Sequence, residues 1–238
     1  MSNRLSSVPT APSKYLFDGF LRAFAPAASS DETVYALRKL AQPMHIGRGR
    51  TVPLDPASDA LVYVGDGATK LIASASSGRE QIVAFHFTGD LISVPAGAWH
   101  SYALCALAET DLLVFPAESF LEIAGTEREI MDALLQRSLT ALHRCRDKAV
   151  GLGRKNAQER LASFLVGMAE RIGSIEPDRC LLELPMSRRD IGDSLGLTIE
   201  TISRQFSELR LAGLIETTGR SRVLLCDPAA LTERAGHT

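Results

Sequence analysis

Residues 186–215, MSRRDIGDSLGLTIETISRQFSELRLAGLI, admit one local architecture: two helices joined by a tight turn. Ser187 and Asp190 have the spacing of an N-cap and the third helical position, where a short oxygen-bearing side chain accepts from a free amide and an acid reaches back. Ile191 and Leu195 share one apolar face, and Gly196 supplies the backbone freedom that a sharp turn needs. Thr198 can cap a second helix, which runs to about Ala212 and is closed by Gly213.

The second helix divides by face. Ile199, Ile202, Phe206 and Leu209 recur at intervals of three and four, which puts them on one apolar side. Glu200, Ser203 and Arg204 obey the same spacing on another side. They fall in the first two turns, where a helix lying in the major groove points its residues at base edges. Arg204 can donate two hydrogen bonds to guanine, Glu200 can accept from cytosine N4, and Ser203 adapts to either. From this helix alone, a solvated face with a Glu200–Arg204 pair worth roughly 0.3 kcal/mol accounts for the same residues equally well.

The residues that follow favour the DNA reading. Residues 214–225 read as a hairpin with Gly219 in its loop. A two-stranded wing carrying Arg220 and Arg222 beside the two helices offers contacts to phosphate. The candidate phosphate-contacting set is Ser187, Arg188, Arg189, Thr198, Thr201, Arg220 and Arg222. Asp227 followed by Pro228 marks the start of a short final helix.

The run LGLTIETISRQFSEL resembles the recognition element of the Crp/Fnr transcription regulators, in particular their Fnr and FixK branches. Glu200, Ser203 and Arg204 are similar to the set that reads a TTGAT half-site and its inverted repeat. Residues 154–162, RKNAQERLA, resemble the first helix of the same DNA-binding domain. The resemblance is specific over residues 154–216 and looser over the first half. It implies an α+β chain with three parts: an N-terminal cyclic-nucleotide-binding-like β-roll (a double-stranded β-helix or jelly roll), a long dimerisation helix, and a C-terminal winged helix-turn-helix. The corresponding domains are residues 1–116, 117–152 and 153–238. The implied partners are double-stranded DNA, a second copy of the chain and RNA polymerase. The implied site is a TTGAT-N4-ATCAA palindrome, and no enzymatic activity is implied.

Composition allows this. A chain of 238 residues can hold two cored domains, and 45% apolar with 23% charged residues is globular usage. Net charge is −2, and residues 153–238 carry 12 Lys and Arg against 12 Asp and Glu. Phosphate affinity must therefore come from placement: Arg188, Arg189, Arg204, Arg220 and Arg222 lie on the segments that would face DNA. The first residues, MSNRLSSVPTAPSKY, lack the apolar core of a signal peptide, so a cytoplasmic protein without membrane association is expected, with residues 1–13 loosely ordered. Cys105, Cys145, Cys180 and Cys226 form no C-x-x-C pair, so no metal or cluster is expected from them.

Residues 14–42 read as helical, with Phe17, Phe20, Leu21 and Phe24 in a stripe that Pro26 breaks. Residues 44–116 alternate β-rich runs with glycine-bearing turns, which suggests a small antiparallel barrel or jelly roll. Residues 85–91, FHFTGDL, are similar to part of the Fnr-branch sensor roll. Residues 116–152 read as one long helix. In it Met131, Leu135, Ser138, Leu142, Cys145, Ala149 and Leu152 follow a 4-3-4-3-4-3 spacing, a coiled-coil seam of about three heptads. The other reading of this stripe is a helix buried in its own domain. Gly151-Leu152-Gly153 is the expected hinge.

The sensor half departs from the family patterns. Residues 80–127 contain no Lys or Arg to neutralise a cyclic-nucleotide phosphate, although Asp90 occupies the acidic position. The first 104 residues contain no cysteine, and Leu113 stands where the family pattern puts the fourth ligand of an iron–sulfur cluster. A FixK-like regulator that needs no cofactor is the resulting expectation. The alternatives are a haem- or small-ligand-responsive regulator using His86 or His100, and, more distantly, a cupin-type barrel metalloenzyme. His45, His86, His100, His143 and His237 show no H-x-H or i,i+4 pair, against the second.

Overall fold

A computed structural model of the chain describes residues 11–24, 30–74, 78–176 and 179–236. Pro26, His237 and residues 1–10 of the segment expected to be loosely ordered lie outside the described residues. In chain order the elements begin with α1 (Ala11–Phe24), α2 (Asp31–Leu40), β1 (Gln42–Ile46), β2 (Ala60–Asp66), β3 (Ala68–Ser74) and β4 (Glu80–Phe87). Next come β5 (Leu91–Val94), β6 (Ser101–Ala106), β7 (Thr110–Pro116), α3 (Ala117–Ala124), α4 (Arg128–Arg154) and α5 (Ala157–Ile172). The chain ends with β8 (Ser174–Glu176), β9 (Arg179–Glu183), α6 (Arg188–Leu195), α7 (Ile199–Leu211), β10 (Ile215–Thr218), β11 (Arg222–Leu225) and α8 (Pro228–Arg234). It divides into two compact units, Met1–Thr69 with Thr88–Ser138, and Lys70–Phe87 with Leu139–Thr238.

The first unit is built on an antiparallel sheet in the order β1-β7-β2-β5, with Val62 opposite both Val114 and Ile92. Its core is aromatic. Phe17, Phe20 and Phe24 of α1 are buried with Tyr63, Phe115 and Phe120, and the Phe20 ring lies 5.1 Å from both Phe24 and Phe115. The helical spacing of the three phenylalanines is what allows one helix to cover this sheet face. Leu113, at the position of a cluster ligand in the family pattern, is a core residue only 1% exposed.

The helix expected to run unbroken from residue 116 is two helices. Gly125 caps α3, the Glu127 amide turns back to Ala124 O, and α4 starts at Arg128. The break is pinned by Glu127, whose carboxylate accepts from the Ser30 amide at 3.0 Å and from its hydroxyl at 2.8 Å. The hinge expected at Gly151-Leu152-Gly153 is also corrected, because α4 stays helical through it to Arg154. The chain turns instead at Lys155-Asn156, where Asn156 and Glu159 form a capping box that starts α5.

In the second unit Leu161, Ala162, Leu165 and Met168 of α5 are buried, together with Leu231 of α8. Its sheet runs β10-β11-β9-β8, so the predicted hairpin is extended by two strands that the periodicity of the sequence did not reveal. β9 alternates exposed and buried residues as a half-covered strand does. α6 and α7 lie against one another in this unit, which also contains β4 and the C-terminal part of α4.

Candidate DNA-binding interface

The helix-turn-helix forms as its local sequence dictates. Ser187 Oγ accepts from the Asp190 amide at 3.1 Å, and Asp190 Oδ2 accepts from the Ser187 amide at 2.8 Å, closing the capping box of α6. Gly196 ends α6 with φ +65°, a conformation that L side chains rarely adopt. The turn is tight enough that a Cβ on Gly192 would sit 2.6 Å from Leu197 O. Thr198 Oγ1 accepts from the Thr201 amide at 3.2 Å and so caps α7.

α7 buries Ile202, Phe206 and Leu209, whereas Ile199, assigned to the same apolar face, is 38% exposed. It sits in the first turn, before the helix is covered. Gln205, which the apolar spacing passed over, is only 6% exposed, and its Oε1 has no hydrogen-bond partner among the described residues.

Glu200, Ser203 and Arg204 are all exposed. Their arrangement leaves the reading atoms lightly held. Arg204 leans away from Glu200, its Nε 3.9 Å from Glu208 Oε1, a surface pair of little strength. Ser203 Oγ donates to Ile199 O at 2.8 Å, leaving its oxygen lone pairs outward as acceptors. The Glu200 carboxyl is held below the ordinary carboxylate range by its own backbone amide and the Thr198 hydroxyl, with a further contribution from the Arg189 charge. It is therefore an acceptor at neutral pH, as hydrogen bonding to an amino group of a base requires.

The candidate phosphate contacts differ in how free they are. Arg189, Thr198 and Arg220 are exposed, and Thr201 is half-buried. Ser187 Oγ already donates to Asp190 Oδ2 at 2.6 Å. Arg188 folds inward with its guanidinium over Phe206, and burial pushes its pKa down to about 10. Arg222 is gripped by Glu183 on the neighbouring strand, with Nε and Nη2 each 2.8 Å from Oε1.

On α4, Leu135, Leu142 and two leucine-class residues outside the strict spacing, Leu139 and Val150, are exposed at 55%, 44%, 40% and 58%. Ser138, Cys145 and Ala149 are exposed as well, Leu152 is half-buried, and Met131 packs against the core of the first unit. The added pair widens the stripe beyond the heptad positions, and its signal was the neighbouring register one residue along.

Comparison with known proteins agrees with this geometry. The Crp-like helix-turn-helix domain family matches residues 159–234. The nitrogen fixation regulation protein FixK of Bradyrhizobium diazoefficiens is 31% identical over 214 residues, 89% of this chain and 90% of that protein. The chain belongs to the Crp/Fnr family of transcription regulators. The FixK of Rhizobium meliloti is 37% identical over 174 residues, covering 73% of this chain and 77% of that one. The solved structure of FixK2 from Bradyrhizobium japonicum superposes with a TM-score of 0.72 at 32% identity, covering 83% of this chain and 98% of its own. This Crp/Fnr protein is thus a FixK-like DNA-binding transcription regulator and not an enzyme, which sets aside the cupin-type alternative. Its architecture is the α+β roll with a winged helix-turn-helix that the family resemblance implied. Among the described residues no helix is long and apolar enough to cross a membrane.

Proposed function

We propose that this Crp/Fnr regulator binds a TTGAT-N4-ATCAA-type palindrome as a homodimer, with Glu200, Ser203 and Arg204 reading bases in each half-site. The observation that carries the reading is the exposure of these three side chains on one face of the first two turns of α7. Arg189, Thr198, Thr201, Arg220 and, after partial release, Ser187, Arg188 and Arg222 contact the phosphates. The exposed leucines of α4 form the seam between copies, residues 117–152 acting as the dimerisation segment. Binding needs neither a cyclic nucleotide nor an iron–sulfur cluster: residues 80–127 offer no cation, and a core leucine occupies the position of a ligand. The regulator acts in the cytoplasm on double-stranded DNA together with RNA polymerase.

The test is a titration of the purified protein, in air and under nitrogen, on the palindrome and on duplexes altered at single positions. Equal, sequence-dependent binding in both atmospheres is expected without added effector. Arg204→Ala should cost about 1–3 kcal/mol per half-site and relax discrimination at one guanine. Unchanged sequence preference in that variant would remove α7 as the reading helix. A several-fold gain on adding cyclic AMP, haem, or iron with sulfide would overturn the effector-free mode.

A further inference from the structure

Two lysines outside the DNA-reading elements converge on α6. Lys70, on β3, places Nζ 2.6 Å from Asp190 Oδ1. The same carboxylate holds the α6 capping box through Oδ2, so one acid both starts the helix and ties it to the β3–β4 hairpin. At the other end, Lys148 of α4 donates to Ser194 Oγ at 2.9 Å and to Ile82 O and Val83 O of β4 at 2.8 and 2.9 Å. Asp190 and Ser194 are 9% and 4% exposed. Arg171 of α5 adds a third tie to the hairpin, donating to Phe85 O at 2.9 Å while Phe85 meets Phe164 edge-on.

This environment makes the ties costly to break. Burial pushes the Lys148 pKa down to about 8, so its charge is tolerated there only with its acceptors in place. Parting α6 from the hairpin would leave a buried carboxylate and two ammonium groups to find new partners. α7 packs on α6, so what holds α6 in place also supports α7.

We propose that Lys70 and Lys148 are positioning residues for DNA recognition: they fasten both ends of α6 to the β3–β4 hairpin and to α4, and so fix the angle at which α7 is presented from the dimer helix. This rests on the homodimer reading above, since a fixed angle matters only when two copies must fit one spacer. The clamp supplies in advance the orientation that an effector would otherwise have to select.

The experiment uses the full chain with Lys70→Met, the charge-retaining Lys70→Arg, and the mild Ser194→Ala in two measurements. In hydrogen exchange, Lys70→Met and Ser194→Ala should speed the α6 amides at least several-fold while α5 and α8 stay protected, and Lys70→Arg should restore protection. Unchanged α6 exchange overturns the clamp. In DNA binding, Lys70→Met should lose about tenfold on the full palindrome, keep its affinity for a duplex with a single half-site, and tolerate N3 and N5 spacers better than the wild type. Equal losses on both duplexes, or none, overturn the positioning role. If the wild type itself shows no preference for the palindrome over a half-site, the homodimer reading fails, and the positioning role fails with it, while the exchange measurement still decides whether the clamp exists.

Discussion

The Arg188 guanidinium lies over the Phe206 ring, its central carbon 3.0 Å from the ring centroid. One residue opens the first helix of the reading head and the other stands on the buried face of the second, so the contact joins the two helices. A guanidinium used this way is a packing group first. Arg188→Ala should lower stability by about 1–2 kcal/mol in urea unfolding, within the range of a partly desolvated cation–π contact. It should change the salt dependence of DNA binding less than Arg189→Ala, which should reduce the slope by about one. An unchanged slope in Arg188→Ala would show that the stack stays closed on DNA.

The wing offers a second contrast. Arg222 and Glu183 are register partners on β11 and β9, whereas Arg220 is exposed at the turn. Arg220→Ala should weaken all duplexes alike and flatten the salt slope. Glu183→Gln should do the reverse, freeing Arg222 and raising affinity for unrelated duplexes several-fold at low salt. No gain in that variant would indicate that Arg222 does not reach the backbone.

Leu142→Glu puts a charge in the middle of the exposed α4 stripe and, in a dimer, opposite its copy. Desolvation and like-charge repulsion both oppose pairing. Sedimentation should show monomers, with palindrome binding reduced to that of a half-site. A stable dimer in this variant would exclude the seam.

His45 supplies a pH prediction. Its Nδ1 lies 2.8 Å from Asp111 Oδ1 and its Nε2 3.1 Å from Glu109 Oε2. The bond to Asp111 raises its pKa above the ordinary imidazole value, against a smaller opposing effect of desolvation, and Glu109 adds to the rise. A raised folded-state pKa contributes stability that is fully present below the unfolded value and is lost as pH rises through the folded one. His45→Ala should therefore destabilise the protein more at pH 5.5 than at pH 8.5 in urea unfolding. An equal effect at both pH values would reduce His45 to a packing role.

Much of the reading head was legible in the sequence. Caps at Ser187 and Thr198, the turn at Gly196 and the final helix after Asp227 follow from interactions within a few residues. The α4 break was not legible, because an apolar helical spacing runs across Gly125 and part of what holds the break, the Ser30–Glu127 bonds, comes from a distant segment. β8 and β9 were missed for a related reason: short strands are stabilised by their neighbours more than by their own pattern.

Among the site residues, the side chains that α7 turns outward could be read from residue spacing alone, since helical periodicity places Glu200, Ser203 and Arg204 together on one face wherever the helix packs. Their residue types also set the chemistry each can offer a base. Which arginines are exposed depends on the packing of the folded chain. Arg188 and Arg189 are neighbours with the same charge, yet one stacks on Phe206 and the other is exposed. Likewise Asp190 announces a cap through its spacing from Ser187, but nothing local announces Lys70, 120 residues away. Caps and faces arise from contacts between residues near in the chain, whereas the partners of a buried charge are set by whichever distant segment covers it.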